Sequence, residues 1–321
     1  MKNIQADIKS GNFKQVYLLY GEEAYLKQQY KQNLVKALNP DGDTMNFNHY
    51  EGKGIDVKQL IDLCETMPFF AERRVVLLED TGFFKNKCEE LADYMKELPD
   101  YLYLVFAETE VDKRNRMYKA VKACGSIAEF IRQDEKTLMR WAAGILGKAG
   151  KKITQRDMEL LLTKTGTDMG NLRMEMEKLI SYTEGRDVVT AEDIEEICTT
   201  QTTNRIFDMV RAVTEKNQKR ALELYYDLLT LKEPPMRILF LLAKQYRQLL
   251  LAKQFAAAGL AQTEIGSKLG VPGFVVKNIT TCARAYTISE LEQAVKDFVD
   301  AEESVKTGRL EDKLSVELLI H

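Results

Sequence analysis

The sequence predicts an α/β domain built on a parallel sheet over residues 1–133, followed by helices alone to residue 321. Two observations carry this. Up to Phe130, short runs of consecutive apolar residues alternate with segments of helical period. A strand covered on both faces reads as a continuous apolar run, whereas a strand with one wet face alternates. Beyond Gln133 the apolar residues recur at helical spacing, and capping signals mark the starts.

The strands and helices follow in order. Residues 16–20 (VYLLY) form a buried strand ended by Gly21, and 24–38 form a helix. Residues 45–51 alternate weakly and read as a strand. Residues 57–66 are helical, with Leu60, Ile61 and Cys64 on one stripe. Residues 74–80 (RVVLLED) and 101–107 (YLYLVFA) are buried strands, separated by a helix over 87–98. A charged helix over 113–124 and a short strand over 127–130 complete a sheet of about five strands. Then come helices over 135–149, 154–165, 169–183, 191–198, 206–214, 218–231, 234–257, 262–269, 273–285, 289–305 and 310–320. Thr154 with Asp157, Thr190 with Asp193, and Ser289 with Glu292 fit the capping box.

Composition excludes several function classes. At 321 residues, 45% apolar and 30% charged, the chain has room for two or three domains and is not a disordered one. No apolar run is long enough to span a bilayer, and residues 1–21 lack a secretory core, so a cytoplasmic location is expected. Lys plus Arg number 46 against 49 acidic residues, a net charge of −3, and no region is basic enough for an independent nucleic-acid binder. Cys64, Cys88, Cys124, Cys198 and Cys282 are widely spaced, and His49 and His321 are the only histidines. A zinc site, a disulfide framework and histidine-assisted nucleophilic catalysis are therefore not expected.

Four motifs bear on function. Gly21 to Gln28 (GEEAYLKQ) lies where a phosphate-binding loop would sit, with Gly21 and Lys27 in register. Leu26 replaces the second glycine and Gln28 the magnesium-binding hydroxyl, while Glu22 and Glu23 add negative charge, so the chemistry of nucleotide binding is missing. Glu79 and Asp80 end a strand as a magnesium site would, yet neighbours in an extended chain point to opposite faces. Met67-Pro68-Phe69-Phe70 is the oddest local feature. Pro68 must end the preceding helix, and the two phenylalanines read either as core or as an exposed apolar prong that marks a partner site. Residues 263–279 imitate a helix-turn-helix, but only Lys277 and Asn278 suit a recognition helix, and packing among helices is the simpler reading. Trp141, Met169, Met174 and Met176 read as core filler.

In its order of features the chain resembles the delta-subunit family of bacterial DNA polymerase III clamp loaders. The resemblance is carried by residues 16–26, 67–76, 111–118, 165–179, 205–230 and 301–308, and it runs over almost the whole length. It implies an AAA+-like (P-loop NTPase-like) α/β domain over 1–133 with a degenerate phosphate loop. A small helical lid over 134–208 and an all-α collar over 209–321 follow. It also implies a non-catalytic subunit without cofactor, metal or catalytic residues, which binds and opens the beta sliding clamp. The collar would join gamma/tau and delta-prime subunits, and primer-template DNA would be met only within that assembly. The family's clamp-binding pair of hydrophobic residues falls on Phe69 and Phe70, with Met67 beside them. Pro68 stands where the family often has a small polar residue, and Phe69 where it has Leu.

Overall fold

The computed structural model describes residues 2–200, 202–271 and 273–320. The chain separates into two compact units, Met1–Gln133 and Asp134–His321.

The first unit runs α1 (Lys2–Ser10), β1 (Val16–Tyr20), α2 (Ala24–Leu38), β2 (Phe47–Glu51), α3 (Val57–Glu65), β3 (Arg74–Glu79), α4 (Glu89–Tyr94), β4 (Leu102–Glu108), α5 (Arg116–Cys124) and β5 (Ser126–Glu129). Its five strands are all parallel in the order β2-β3-β4-β1-β5. Alternate residues serve opposite faces, as the pleat requires. Val16, Leu18, Val76, Leu78, Leu104 and Phe106 pack with Leu60 of α3, Leu91 of α4 and Met117 of α5. Tyr17, Leu19, Val75, Leu77 and Val105 pack with Ile4 of α1 and with Leu34 and Leu38 of α2. Covering both faces explains why the central strands are written without polar interruptions. The edge strand β2 is only partly buried and alternates accordingly.

Several details differ from the sequence expectation. Helix α1 was not anticipated, because Ile4 and Ile8 are its only apolar residues against the core. It is fastened by Tyr17, whose hydroxyl donates to Asp7 Oδ2 at 2.9 Å. Helix α4 is shorter than 87–98, since residues 96 and 97 already make tight bonds back to Asp93 and Tyr94 and Pro99 disfavours a helical residue before it. The third capping box is Thr287 with Glu290, two residues earlier than Ser289 with Glu292. Tyr286 packs edge-on against Tyr246 and turns the chain immediately before that helix.

In the second unit the buried hydrophobics form two separate clusters. One lies among α6 (Glu135–Lys148), α7 (Gln155–Thr165), α8 (Met169–Tyr182) and α9 (Ala191–Ile197). Against the expectation of helices alone, residues between them pair as a two-strand parallel ladder of β6 (Lys152–Ile153) and β7 (Val188–Val189), too short for a strand pattern to show in sequence. Thr154 and Thr190 cap α7 and α9 as the sequence predicts. Met169 and Met176 are buried, but Met174 faces solvent and is no core residue. The second cluster gathers α10 (Thr202–Thr214), α11 (Gln218–Thr230), α13 (Gln262–Leu269), α14 (Gly273–Ala283), α15 (Ile288–Lys306) and α16 (Asp312–Ile320) around the long α12 (Pro235–Ala257).

Candidate functional site

The segment between α3 and β3 puts large apolar side chains into water. Met67 is 75% exposed, Phe69 56% and Phe70 95%. The two rings meet edge to face with centroids 4.5 Å apart, a preferred aromatic geometry. Phe70 has φ = +48°, the left-handed region that an aromatic residue seldom adopts. Exposure of two stacked rings on a strained turn is costly to a free protein, so the surrounding structure must impose it.

Both ends of the segment are pinned by buried polar side chains. Asn46, just before β2, is 3% exposed. Its Oδ1 accepts the Phe69 N–H at 2.6 Å, and its Nδ2 donates to the Phe69 carbonyl at 2.8 Å. The other Nδ2 proton goes to Asp43 Oδ2, so the whole amide is used. Arg74, the first residue of β3, is also buried. Its Nε donates to the Thr66 carbonyl at 2.8 Å, Nη2 to the Met67 carbonyl at 3.3 Å and Nη1 to Asn48 Oδ1 at 3.2 Å. Arg73 beside it lies over the rings of Phe13 and Tyr103. Helix α3 starts on Asp56, whose carboxylate accepts from the Lys58 and Gln59 amides, and Leu60 and Cys64 bury its inner face. Burial pushes the Cys64 thiol up to about 12, which makes it a packing residue.

The Arg74→Met substitution leaves three acceptors without their donor. The acceptors are only partly buried, so a loss of about 1–3 kcal/mol in urea unfolding is expected for the network as a whole, roughly the cost of one fully buried group left unpaired. A loss below 0.5 kcal/mol would show that water replaces the guanidinium at no cost.

The opposite, carboxyl end of the sheet holds the phosphate-loop look-alike. Strand β3 has six residues, so prong and look-alike are separated by ~17 Å at about 3.3 Å per residue step. Only Gly21, Glu22 and Glu23 connect β1 to α2. Lys27 therefore lies a full turn inside the helix, its amide bonded to the Glu23 carbonyl. Its Nζ donates to the Glu108 carbonyl at 2.9 Å, and burial lowers its pKa. Leu26 packs into the core below. Glu79 bonds Lys31 at 2.6 Å and His49 at 2.9 Å, while Asp80 Oδ1 accepts the Thr109 amide at 2.8 Å. The groups that would hold phosphate and magnesium in a nucleotide site are here engaged with other side chains and with backbone.

Glu108 is buried in the same corner and accepts from the Thr81 amide, the Thr81 hydroxyl and the Gly82 amide. Burial raises its pKa above the ordinary 4.5 despite those bonds. A group whose folded pKa is raised adds stability that is full below the unfolded pKa and fades as pH climbs through the folded one. The advantage of the native chain over Glu108→Gln in urea melts is therefore expected to be larger at pH 4.5 than at pH 7.5. The reverse order would contradict the assigned direction.

Comparison with known proteins decides the lineage. The model described as "DNA polymerase III, delta subunit" matches residues 17–130, and "DNA polymerase III delta subunit, C-terminal domain" matches residues 203–321. The chain belongs to the DNA polymerase III delta subunit family. The DNA polymerase III subunit delta of Bacillus subtilis (strain 168) is 26% identical, over 99% of this chain and 95% of that one. The probable DNA polymerase III subunit delta of Aquifex aeolicus (strain VF5) is 22% identical, over 82% and 77%. The solved Bacillus subtilis DNA clamp loader delta protein has the same fold, with a TM-score of 0.67 at 24% identity over 99% of this chain and 98% of that one.

One further motif of this delta-family chain finds a place. The helix-turn-helix look-alike is α13 and α14, packed through the buried Ile265, Val276 and Ile279. The amino end of α14, which a DNA phosphate would need, is occupied by Glu135 of α6, whose Oε2 accepts the Gly273 N–H at 3.1 Å. Among the described residues no His, Cys, Asp and Glu grouping could hold a metal, and no helix is long and apolar enough to cross a membrane.

The sequence reading pointed to Met67, Phe69 and Phe70, and the structure groups them on one segment. It missed Asn46 and Arg74. Arg74 opens a run of buried strand residues, an unusual place for a cation, and that was the available signal. Asn46 carried none, because its partner is 23 residues away and is backbone.

Proposed function

We propose that this chain is the clamp-gripping subunit of a bacterial clamp loader: it binds the beta sliding clamp through Met67, Phe69 and Phe70 and favours its open form. One observation carries the reading. Two aromatic rings are held out in water by a buried hydrogen-bonded frame, at the opposite end of the sheet from the nucleotide-type corner. Partner pockets are filled by such central anchors.

Each ring buried in an apolar pocket contributes roughly 1.5–3 kcal/mol before ordering costs. Rigid presentation keeps those costs small. Binding can shift a ring between closed and sprung forms only by its difference in affinity for the two. The prong therefore opens the clamp to the extent that its pocket, or the ledge that α3 meets, fits better in the sprung form.

The chain does no chemistry of its own in this reading. The corner closed by Lys27, Glu108 and Glu79 supports leaving ATP hydrolysis to neighbouring subunits of the gamma/tau type. Residues 1–133 form the AAA+-like clamp-binding domain, 134–208 the lid and 209–321 the collar that joins those subunits and delta-prime. Primer-template DNA is met within the assembly, in the cytoplasm. The experiment is direct: the full chain, immobilised, is titrated with the sliding clamp of its own organism, native against Phe69→Ala/Phe70→Ala. Saturable binding that depends on the two rings is expected. Absence of binding by the native chain would sink the proposal.

A further inference from the structure

The turn that carries the rings does not hold itself in place. Among the described residues, no backbone hydrogen bond joins two of residues 67–70, and Phe70 sits at positive φ. Their anchors come from outside: Arg74 of β3 takes the Met67 carbonyl, and the loop between α2 and β2 takes Phe69. Asn46 takes both the N–H and the carbonyl of Phe69, the pairing that a strand neighbour would offer. Asn46 is in turn oriented by Asp43, which accepts one of its amide protons and the Met45 N–H at 2.7 Å. Asp43 is held by Asn39 at the carboxyl end of α2. The Asn39 Nδ2 donates to the Asp43 carbonyl at 2.9 Å, and its Oδ1 accepts the Asp43 amide at 3.0 Å. The Asn39 amide itself closes α2 on the Val35 carbonyl. A continuous polar chain thus runs from a core helix to the backbone between the two rings.

We propose that Asn46 is the positioning residue of the prong: acting through Phe69 from its tether to α2, it sets how the two rings are presented to a partner. This rests on the reading that the prong is the clamp-binding element. The role follows from chemistry and place. A buried primary amide has one acceptor and two donor protons, and all three are committed here, so the amide has a single orientation. Its two bonds hold the N–H and the carbonyl of Phe69, which belong to the two peptide units flanking the Phe69 Cα. They therefore fix the Phe69 backbone and the direction in which the chain enters Phe70. Without them Arg74 still holds the Thr66 and Met67 carbonyls, but the backbone next to Phe70 loses its tether, and the strained φ of Phe70 relaxes to other turns. An anchor that must be ordered on binding is a weaker anchor.

The test has two arms on the full-length chain. The first measures amide hydrogen exchange over residues 66–72, native against Asn46→Ala, with Asp43→Ala as a milder second variant that keeps the amide. Exchange in that segment is expected to quicken at least tenfold in Asn46→Ala and less in Asp43→Ala, with β3 and β4 still protected. Exchange at the native rate in both overturns the proposal. The second arm measures the dissociation constant for the sliding clamp. Asn46→Ala is expected to weaken binding about tenfold in the native background, and to add nothing once Phe69 and Phe70 are both alanine. Equal losses in both backgrounds mean that Asn46 acts elsewhere, and overturn the proposal. If the native chain does not bind the clamp, the clamp-gripping reading fails, and the exchange arm by itself decides whether Asn46 positions the prong.

Discussion

Changing Phe69 and Phe70 together to alanine is expected to weaken binding of the sliding clamp by at least 2–4 kcal/mol, roughly 30-fold to 1000-fold, as for central anchors. The free chain should be little affected. Both rings are largely in water, Phe70 at 95% exposure, so their removal opens no cavity. The backbone frame made by Asn46 and Arg74 bonds to main-chain atoms and survives the substitution. Relief of an aromatic pair exposed to solvent can even raise the melting temperature slightly. Loss of affinity with unchanged or improved stability is the signature of a docking element, because a core residue would lose both. The affinity is measured by calorimetry or surface titration and the stability by urea unfolding. An affinity change below 0.5 kcal/mol in a folded variant removes the two rings from the interface.

The second large effect lies at the other end of the sheet and concerns stability. Gly21→Ala is expected to cost at least ~3 kcal/mol. A Cβ on Gly21 would stand 2.3 Å from the Phe130 carbonyl oxygen and 2.9 Å from its carbon. No rotamer relieves that overlap, because both partners are backbone. Phe130 is fixed by both of its backbone groups: its amide donates to the Tyr20 carbonyl at 2.7 Å, and the Glu23 amide donates to its carbonyl at 3.0 Å. Positive φ adds its own strain for an L residue. Relaxation would have to part β5 from β1 or shift the start of α2. Gly11 provides the control, since it also has positive φ but open space around it. Gly11→Ala should cost about 1 kcal/mol. Urea unfolding of the two variants checks the contrast. Equal losses would show that conformation, and not the close approach of Phe130, sets the need for glycine at the β1–α2 turn. This bears on function, because that glycine reads in the sequence as the first residue of a phosphate cradle. Its place in the structure is explained by the contact between chain segments.

Much of the molecule was written in local pattern. The central strands β1, β3 and β4 were legible because a strand buried on both faces must be apolar at every position. Helices α7 and α9 were legible because Thr154 and Thr190 announce their starts by bonds that span only three residues. Pro68 and the paired phenylalanines stood out for the same reason, as a break beside a run that a helix could not absorb. Tertiary structure decided what no local pattern encodes. It put Phe69 and Phe70 outside, where their composition alone allowed either place. It recruited Asn46 and Arg74 from separate strand openings to hold them there. It filled the phosphate corner with Lys27 and Lys31, whose partners lie 81 and 48 residues away along the chain. A periodicity reports which side of an element is apolar. Only the packing of distant elements sets which polar group finds which partner, because burial makes an unpartnered one too costly to keep.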